Sequence, residues 1–295
     1  MTTSVFSIIT PMWKGAALVG STIESVLAQT FTDWELIIVD DASPDDGAGC
    51  KVVQSYAEKD SRIKLIAAKV NKGSSGARNE AMRNASGRYF AFLDSDDIWH
   101  PEYLATMKKH IDECSDEDVA IFFSGYRRMN SSCAEVILPD YSCSGKKDFN
   151  KLLYHCPIFP SAAIVDTARL KEQVFFREEL KALRDDYVYW LDIMKLGLTC
   201  MGFGDILVDY RMRDDSMTAS KAKMIKPQWR IYREILHFNI FKSSFYLFSW
   251  GVNGLKKYRT VRGGVTLYNT TTYNNYKNIF SYEEPAVCIE VKKCA

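Results

Sequence analysis

Short apolar runs alternate with helix-like segments along the first hundred residues, and this alternation limits the fold more than any other feature. Three of the runs are mostly apolar without regular alternation, and they lie at Val5–Thr10, Trp34–Asp40 and Tyr89–Leu93. Arg62–Ile66 is a further short strand, in which charged and apolar residues alternate at its start. Continuous apolar runs are typical of strands that are buried on both faces. Their alternation with helices predicts an α/β protein whose mainly parallel sheet is flanked by helices.

Clustered aspartates follow two of these predicted strands. Asp94, Asp96 and Asp97 come directly after Tyr89–Leu93, and Asp40–Asp41 ends the run that begins at Trp34. The carboxyl ends of parallel strands meet at one edge of a sheet, where open α/β sheets bind their ligands. Carboxylates at that edge can accept hydrogen bonds from a nucleoside or hold a divalent cation against a diphosphate. The alternative is a solvated acidic turn with one aspartate capping the next helix.

The chain lacks both glycine motifs that bind phosphates through the backbone. No G-x-G-x-x-G follows the first strand, and no G-x-x-x-x-G-K-[ST] occurs in the sequence. A bound diphosphate then needs a metal ion, which favours a metal site at Asp94 and Asp96 over a simple turn. Arg78, at the start of a predicted helix, can meet a phosphate or a base, although a helix-surface arginine is the alternative.

A third acidic pair, Asp185–Asp186, precedes an amphipathic helix predicted over 187–194. Either carboxylate can cap that helix. A general base is the chemical group that the other motifs do not supply, and we assign it to Asp186.

A polar segment follows the strand predicted over Gly204–Tyr210. It offers cations and hydroxyls, including Arg211 and Ser216, that can close over a diphosphate. An exposed loop is an equally good interpretation of this segment.

Charge and cysteine usage narrow the class of protein. The net charge of +1 argues against a general nucleic-acid-binding protein, so we expect no nucleic-acid partner. The eight cysteines are dispersed without a C-x-x-C pair, as expected for reduced thiols in the cytoplasm. We expect no signal peptide and, because no sufficiently long apolar run occurs, no membrane-spanning helix.

The charge is unevenly distributed, because Glu234 is the one acidic residue between 221 and 262, where Lys, Arg and aromatic residues recur. Basic and aromatic residues interleaved on helices predict peripheral contact with an anionic membrane. The alternative is a helix packed on the domain with an ordinary basic outer face.

Six motifs, taken in order, resemble those of family 2 glycosyltransferases of the GT-A fold. They lie at Ser7–Pro11, Ser25–Asp41, Asn71–Gly73, Gly76–Asn79, Phe92–Asp97 and Asp185–Trp190. The resemblance implies a Rossmann-like mixed sheet with a nucleotide-sugar-binding half at 1–100 and an acceptor-binding, catalytic half at 101–220. A basic, aromatic helical extension at 221–295 would contact the membrane.

The resemblance also implies an activity, which is the transfer of a sugar from a nucleotide-diphosphate donor, UDP-Glc or UDP-Gal, with inversion. Asp94-Ser-Asp96 matches the D-x-D motif of the family, with Asp96 as the direct ligand of Mn²⁺ or Mg²⁺. The residues implied to contact the nucleotide sugar are Thr10, Asp40, Arg78, Asp94, Ser95 and Asp96. Asp186 matches the catalytic aspartate of a Glu-Asp pair, in which Asp185 takes the place of the glutamate. Asp185, like Arg211 and Ser216, is also a candidate contact to the diphosphate or the acceptor.

The basic, aromatic tail resembles those of bacterial O-antigen and capsule enzymes. This implies a polyprenyl-diphosphate-linked sugar acceptor and a cytoplasmic protein that is peripheral on the inner face of the cell membrane. One alternative is a nucleotidyltransferase, which would need a basic, glycine-rich loop near the N-terminus; the segment Thr10–Gly15 is a poor match to such a loop. The other alternative is a nucleotide-binding scaffold without turnover.

Overall fold

A computed structural model describes residues 4–180, 184–212 and 221–259 of the chain, excepting the side chains of 221–223 and 254–259. The strands are β1 Phe6–Met12, β2 Trp34–Asp40, β3 Ile63–Ala67, β4 Tyr89–Phe92, β5 Ile98–Trp99, β6 Val119–Met129, β7 Val136–Tyr141, β8 Gly145–Lys147, β9 Ala163–Asp166 and β10 Thr199–Arg211. The α-helices are α1 Val19–Leu27, α2 Ala48–Ala57, α3 Gly73–Arg83, α4 Tyr103–Glu113, α5 Phe149–Tyr154, α6 Asp185–Lys195, α7 Lys221–Arg230 and α8 Ile240–Arg259. Ser216 and residues 260–295 lie outside the described residues.

The strands form one mixed sheet in the order β3-β2-β1-β4-β9-β6-β10-β5, with β7 paired to β6 and β8 to β10. β1 is parallel to both β2 and β4, and β3 is parallel to β2. β9 runs antiparallel between β4 and β6, so it joins the first, parallel half of the sheet to the second half. The predicted Rossmann-like mixed α/β fold is confirmed, and the two predicted halves, 1–100 and 101–220, share this sheet.

Side chains on the two faces of the sheet belong to two separate cores. On β1, Phe6 and Ile8 pack with α1, α2 and α4, whereas Ile9 packs with α3 and α6 on the other face. Successive side chains of a strand point to opposite faces, so continuous apolar runs are required where both faces are covered. This explains why the first strands lack a polar alternation.

The strand ends agree closely with the sequence prediction, with one informative exception. β2 occupies Trp34–Asp40 as predicted, but β1 continues through Pro11 to Met12 instead of stopping before the proline. β4 pairs with β1 only as far as Ile9, so Pro11 lies beyond that ladder. The missing N–H of Pro11 therefore removes no hydrogen bond on that side of the strand.

Helices from the basic, aromatic segment pack against the sheet domain. Residues Met1–Arg259 form one compact unit, which includes α7 and α8. Tyr232 lies in the segment between α7 and α8, and its hydroxyl donates to the carbonyl of Leu153 on α5 at 2.8 Å. The ring of Tyr246 on α8 lies edge-on to that of Tyr154 on α5, with 5.1 Å between ring centres. Across the described stretches of the chain, no helix is long and apolar enough to cross a membrane. The segment thus has an inner, packed face, and the predicted membrane contact concerns its outer face.

Candidate active site

The two acidic strand ends lie side by side because β2 and β1 are adjacent and parallel. The backbone N–H of Asp41 donates to the Met12 carbonyl at 2.8 Å, which fixes the end of β2 against the end of β1. Asp40 is buried and accepts a hydrogen bond from the Ser43 hydroxyl at 2.5 Å. Asp41 accepts from the backbone N–H of Lys72 at 2.8 Å, so its carboxylate holds the loop before α3.

Thr10, near the end of β1, carries a buried hydroxyl for which the structure provides no hydrogen-bond partner. A buried hydroxyl without a partner costs about 1–3 kcal/mol, so such groups are uncommon. Contact between Thr10 and a nucleoside stays a prediction, as does the same role for Asp40.

Arg78 on α3 joins two of the acidic motifs. Its guanidinium donates to Asp94 Oδ1 at 2.7 Å and to Asp185 Oδ2 at 3.2 Å, and its side chain is 6% exposed. Burial alone lowers the pKa of Arg78, but the charges of Asp94 and Asp185 outweigh it and raise that pKa. Arg78 was predicted to contact the nucleoside, and the structure places it between carboxylates of the D-x-D loop and of α6.

The carboxylates of Asp185 and Asp186 have different surroundings. Asp185 is buried and accepts hydrogen bonds from the hydroxyls of Ser75 at 2.7 Å and Ser74 at 3.1 Å, in addition to Arg78. These bonds fix the start of α6 on α3. Sequence reasoning missed the two serines, and their position next to Gly73 at the start of a helix is the available signal.

Asp186 is half-buried, and no side chain among the described residues donates a hydrogen bond to its carboxylate. Burial, followed by the negative charge of Asp185, raises the pKa of Asp186 above its ordinary value. A carboxylate with a raised pKa is a better proton acceptor than an ordinary surface aspartate. The pair therefore divides into an anchored carboxylate, Asp185, and a carboxylate without a side-chain donor among the described residues, Asp186. The role of Asp186 as general base stays a prediction.

The D-x-D loop is a tight turn held from beneath by α1. The backbone N–H of Asp97 donates to the Asp94 carbonyl at 3.1 Å. The Thr22 hydroxyl lies 3.0 Å from the Ser95 carbonyl and 2.9 Å from the Asp97 carbonyl. Because the backbone is fixed in this way, the side chains of Asp94 and Asp96 are presented at the edge of the sheet, where both are partly exposed.

Asp97 closes this turn, as expected for a turn carboxylate, but its side chain is buried and not solvated. Its carboxylate accepts from the Ser161 hydroxyl at 2.5 Å and from the backbone N–H of Arg211 at 3.1 Å. Burial, with added repulsion from Asp96 and Asp94, raises the pKa of Asp97 well above its ordinary value. Ser161 was missed, because nothing in the Pro157–Val165 segment marks a serine that reaches the D-x-D loop.

Arg211 at the end of β10 supports the same loop. Its Nε donates to the Asp96 carbonyl at 2.8 Å, and its two terminal nitrogens donate to the Ser131 carbonyl at 3.0 Å and the Ser21 hydroxyl at 3.1 Å. Each guanidinium nitrogen of Arg211 thus already has an acceptor within the protein. Its predicted contact with a diphosphate or acceptor remains a prediction, and Ser216 lies outside the described residues.

The carboxylates of the D-x-D loop suit a hard divalent cation such as Mn²⁺ or Mg²⁺. Asp94 and Asp96 offer oxygen ligands, and their negative charges add to the effect of burial in raising the pKa of Asp97. Within the residues that the structure covers, no group of three or more His, Cys, Asp or Glu side chains is arranged to hold a metal. One or two carboxylates completed by substrate phosphates are the usual ligands of Mg²⁺, and the donor set fits that arrangement.

Sequence comparison identifies the class of transferase to which this fold and site belong. The model of glycosyl transferase family 2 matches residues 7–164. The chain is 33% identical over 253 residues to the Escherichia coli UDP-Glc:alpha-D-GlcNAc-diphosphoundecaprenol beta-1,3-glucosyltransferase WfgD, covering 85% of this chain and 94% of that protein. It is 30% identical to the putative teichuronic acid biosynthesis glycosyltransferase TuaG of Bacillus subtilis, covering 85% and 96% respectively. The chain therefore belongs to glycosyl transferase family 2 and is a glycosyltransferase.

Solved structures support the same fold. Staphylococcus aureus TarS 1–349 in complex with UDP superposes with a TM-score of 0.62 at 21% identity, covering 92% of this chain and 78% of TarS. The mannosyltransferase PcManGT from Pyrobaculum calidifontis, solved with GDP-Man and Mn²⁺, gives a TM-score of 0.61 at 17% identity, covering 95% and 82%. At these identities the likeness concerns the fold alone.

Proposed function

We propose that this glycosyltransferase moves a hexose from UDP-Glc or UDP-Gal to a hydroxyl of a sugar carried on a polyprenyl diphosphate, with inversion and with a divalent metal. The product would enter a bacterial surface polysaccharide such as an O-antigen. The half-buried Asp186, with its raised pKa and a neighbouring anchored carboxylate, carries this proposal.

The chemical step is a single displacement. Asp186 takes the proton from the acceptor hydroxyl while that oxygen bonds to the anomeric carbon of the donor sugar. The bond from that carbon to the diphosphate breaks, and the nucleoside diphosphate leaves with the electron pair. Asp185 keeps Asp186 in place through α3, since its own carboxylate is occupied by Ser74, Ser75 and Arg78.

The donor would lie at the edge formed by β1, β2 and β4. Asp40, buried at the end of β2, would accept a hydrogen bond from the nucleoside, and Asp96 and Asp94 would hold Mn²⁺ or Mg²⁺. When bound, the metal supplies positive charge that stabilises the leaving diphosphate. UDP-Glc is the first donor to test, because WfgD and a second E. coli relative, WfaP, which is 31% identical over 85% of this chain, both carry UDP-Glc and GlcNAc-diphosphoundecaprenol in their names.

Transfer to a lipid-diphosphate acceptor tests the proposal. We expect purified full-length protein to transfer hexose from UDP-Glc or UDP-Gal to a synthetic GlcNAc-α-diphosphoryl lipid in the presence of Mn²⁺, and to stop in excess EDTA. Because Asp96 is the proposed metal ligand, Asp96→Asn should reduce turnover by about 100-fold or more. The assay follows product formation by mass spectrometry and inversion by NMR.

Three outcomes of this assay would contradict parts of the proposal. Binding of UDP without transfer to any sugar acceptor would indicate a non-catalytic scaffold. Full transfer activity in excess EDTA would show that the reaction does not depend on a divalent metal. Release of diphosphate with formation of a nucleotidyl product indicates a nucleotidyltransferase.

The outer face of α8 supports the proposed membrane contact. Ile240, Phe241, Phe245 and Phe248, here called the outer aromatic face, are exposed, with Phe241 83% and Phe248 73% accessible. Positions 241, 245 and 248 recur at helical spacing, so the three rings project from one side, while Ser243 and Tyr246 are buried on the other. The exposed Lys242 adds positive charge beside the rings, as expected for a helix that lies on anionic lipid.

Replacing Phe241, Phe245 and Phe248 together by Ser should weaken binding to phosphatidylglycerol-containing vesicles by at least about tenfold, because the apolar area available for insertion is lost. Vesicle co-sedimentation of the full chain measures the change. Val136→Ser with Ile137→Ser is the matched control, since these residues are exposed on β7 at 55% and 44%. Equal binding by both variants, or wild-type binding to neutral vesicles of equal strength, would contradict the assignment.

A further inference from the structure

Arg184 immediately precedes α6 and has a left-handed backbone conformation. Its φ is 60°, and the reactive carboxylate of Asp186 follows two residues later. This region of backbone space disfavours residues with a long side chain by roughly 1 kcal/mol or more, whereas glycine or asparagine adopts it easily. An arginine at this position is therefore unexpected unless its side chain has a use.

The guanidinium of Arg184 lies against two aromatic rings. Its central carbon is 4.7 Å from the ring centre of Tyr187 and 5.6 Å from that of Trp250 on α8. Aromatic rings can stabilise a guanidinium through its flat face and leave the N–H groups at its edge available. The position of Arg184 thus depends on the packing of α8 against the domain.

The N–H donors of Arg184 are not used by the described part of the protein. Its Nε is buried without a hydrogen-bond partner, and no carboxylate in that part of the chain forms an ion pair with the guanidinium. Arg211, by contrast, has an acceptor for each of its three nitrogens. The Nε of Arg78 also lacks a partner, but both of its terminal nitrogens donate to carboxylates. A cation whose donors remain free beside a reactive carboxylate is suited to an anionic group of a ligand.

Arg184 is close to the groups that would meet the two ends of a lipid-diphosphate sugar. Asp186 is the proposed base for the sugar hydroxyl, and Arg184 lies close enough to it in space that its charge lowers the pKa of Asp186. Trp250, 5.6 Å from the Arg184 guanidinium, belongs to α8, which carries the outer aromatic face. In the acceptor, the diphosphate joins the sugar to the lipid.

We propose that Arg184 binds the diphosphate of the polyprenyl-diphosphate-linked acceptor. This inference rests on the proposed function and adds to it a residue that distinguishes a diphosphate-linked acceptor from a neutral glycoside. The donor diphosphate has the same chemistry, but its proposed site is the D-x-D loop, and Trp250 places Arg184 on the side of α8. A guanidinium can make two parallel hydrogen bonds to a phosphate, which a lysine cannot.

Two acceptors with the same sugar test the inference. One is GlcNAc-α-diphosphoryl-alkyl lipid, and the other is the GlcNAc-α-alkyl glycoside without phosphate. For Arg184→Gln, kcat/KM with the diphosphate acceptor should fall by about 10–100-fold, as expected for lost charge-assisted hydrogen bonds. Loss of the Arg184 charge also raises the pKa of Asp186, but this change affects both acceptors alike. The preference for the diphosphate acceptor over the neutral one should therefore fall by about tenfold or more, while KM for the UDP-sugar should stay within about twofold. Arg184→Lys, which keeps the charge, should retain part of the preference for diphosphate.

Arg177→Gln is the matched control, because Arg177 is a nearby arginine whose guanidinium is paired with Asp192 of α6 at 2.7 Å. It should keep the wild-type preference for the diphosphate acceptor. Equal losses of Arg184→Gln on both acceptors would show a structural role instead, and a raised KM for the UDP-sugar would assign Arg184 to the donor. A wild-type enzyme without preference for diphosphate also overturns the inference, whereas transfer to neither acceptor rejects the proposed function itself.

Discussion

Replacing Asp186 by Asn should lower kcat by about 10²–10⁴-fold while leaving UDP binding nearly unchanged. The loss is that of a general base, because Asn is close in shape but cannot accept the proton of the acceptor hydroxyl. The fold should persist, since the structure anchors α6 through Asp185 and not through Asp186. Single-turnover transfer and calorimetric UDP titration measure the two effects separately.

Asp192→Asn on the same helix provides the control, because Asp192 pairs with Arg177 and Lys195 and has no proposed role in the reaction. It should keep kcat within about threefold of wild type. If Asp186→Asn retained near-normal turnover, the assignment of the base would be wrong.

The pH dependence of the transfer activity should report the titration of Asp186. Asp186 must be ionised to accept a proton, and its pKa is raised by burial and by Asp185. Activity should therefore fall as the pH decreases through a pKa above the ordinary aspartate value of 3.8. The residual activity of Asp186→Asn should not show this fall at low pH.

Replacing Arg78 by Ala should destabilise the protein by about 3 kcal/mol, because removal of one partner from a buried ion pair leaves the other charge uncompensated. Asp185 is buried with a 6% exposed side chain and would bear most of that cost, while the 28% exposed Asp94 is partly solvated. Urea unfolding of the full chain measures the change. The free energy of unfolding of Arg78→Lys should lie between those of the wild type and Arg78→Ala, because one ammonium group cannot hydrogen-bond to both carboxylates as the forked guanidinium does.

Arg83→Ala is the matched control on the same helix. The Arg83 side chain is 46% exposed, and its ion pairs with Glu80 and Glu178 are 3.6 and 3.8 Å long, so its loss should cost less than about 1 kcal/mol. If Arg78→Ala cost no more than Arg83→Ala, the two carboxylates would not depend on Arg78. A UDP affinity lowered at unchanged stability would instead support the predicted contact with the nucleoside.

Sequence reasoning correctly placed the acidic strand ends at one edge of the sheet, because the required information is local. Strands buried on both faces need continuous apolar runs, and each run ends where the polar residues begin. Asp40 and the D-x-D loop therefore fall at the ends of β2 and β4, which the structure places on either side of β1. The prediction that acidic strand ends share one edge of the sheet is confirmed.

Partners far apart in the chain could not be found in this way. Arg78 is 107 residues from Asp185, and Arg211 is 114 residues from Asp97, so no periodicity links them. Sequence spacing treats Asp185 and Asp186 alike as caps or bases. Only the packing of α6 on α3 decides that the Asp185 carboxylate is taken up by hydrogen bonds while that of Asp186 has no side-chain donor among the described residues.

In the basic, aromatic segment that follows residue 220, local sequence and tertiary packing likewise determined different properties. The sequence by itself determined that its helices are basic and aromatic, because composition is local information. The tertiary structure decided which rings are covered, since Tyr246 meets Tyr154 of α5 while Phe241 and Phe248 remain exposed. It also brought Trp250 to Arg184, and burial on one helix face is fixed by the neighbouring element rather than by the helix sequence alone.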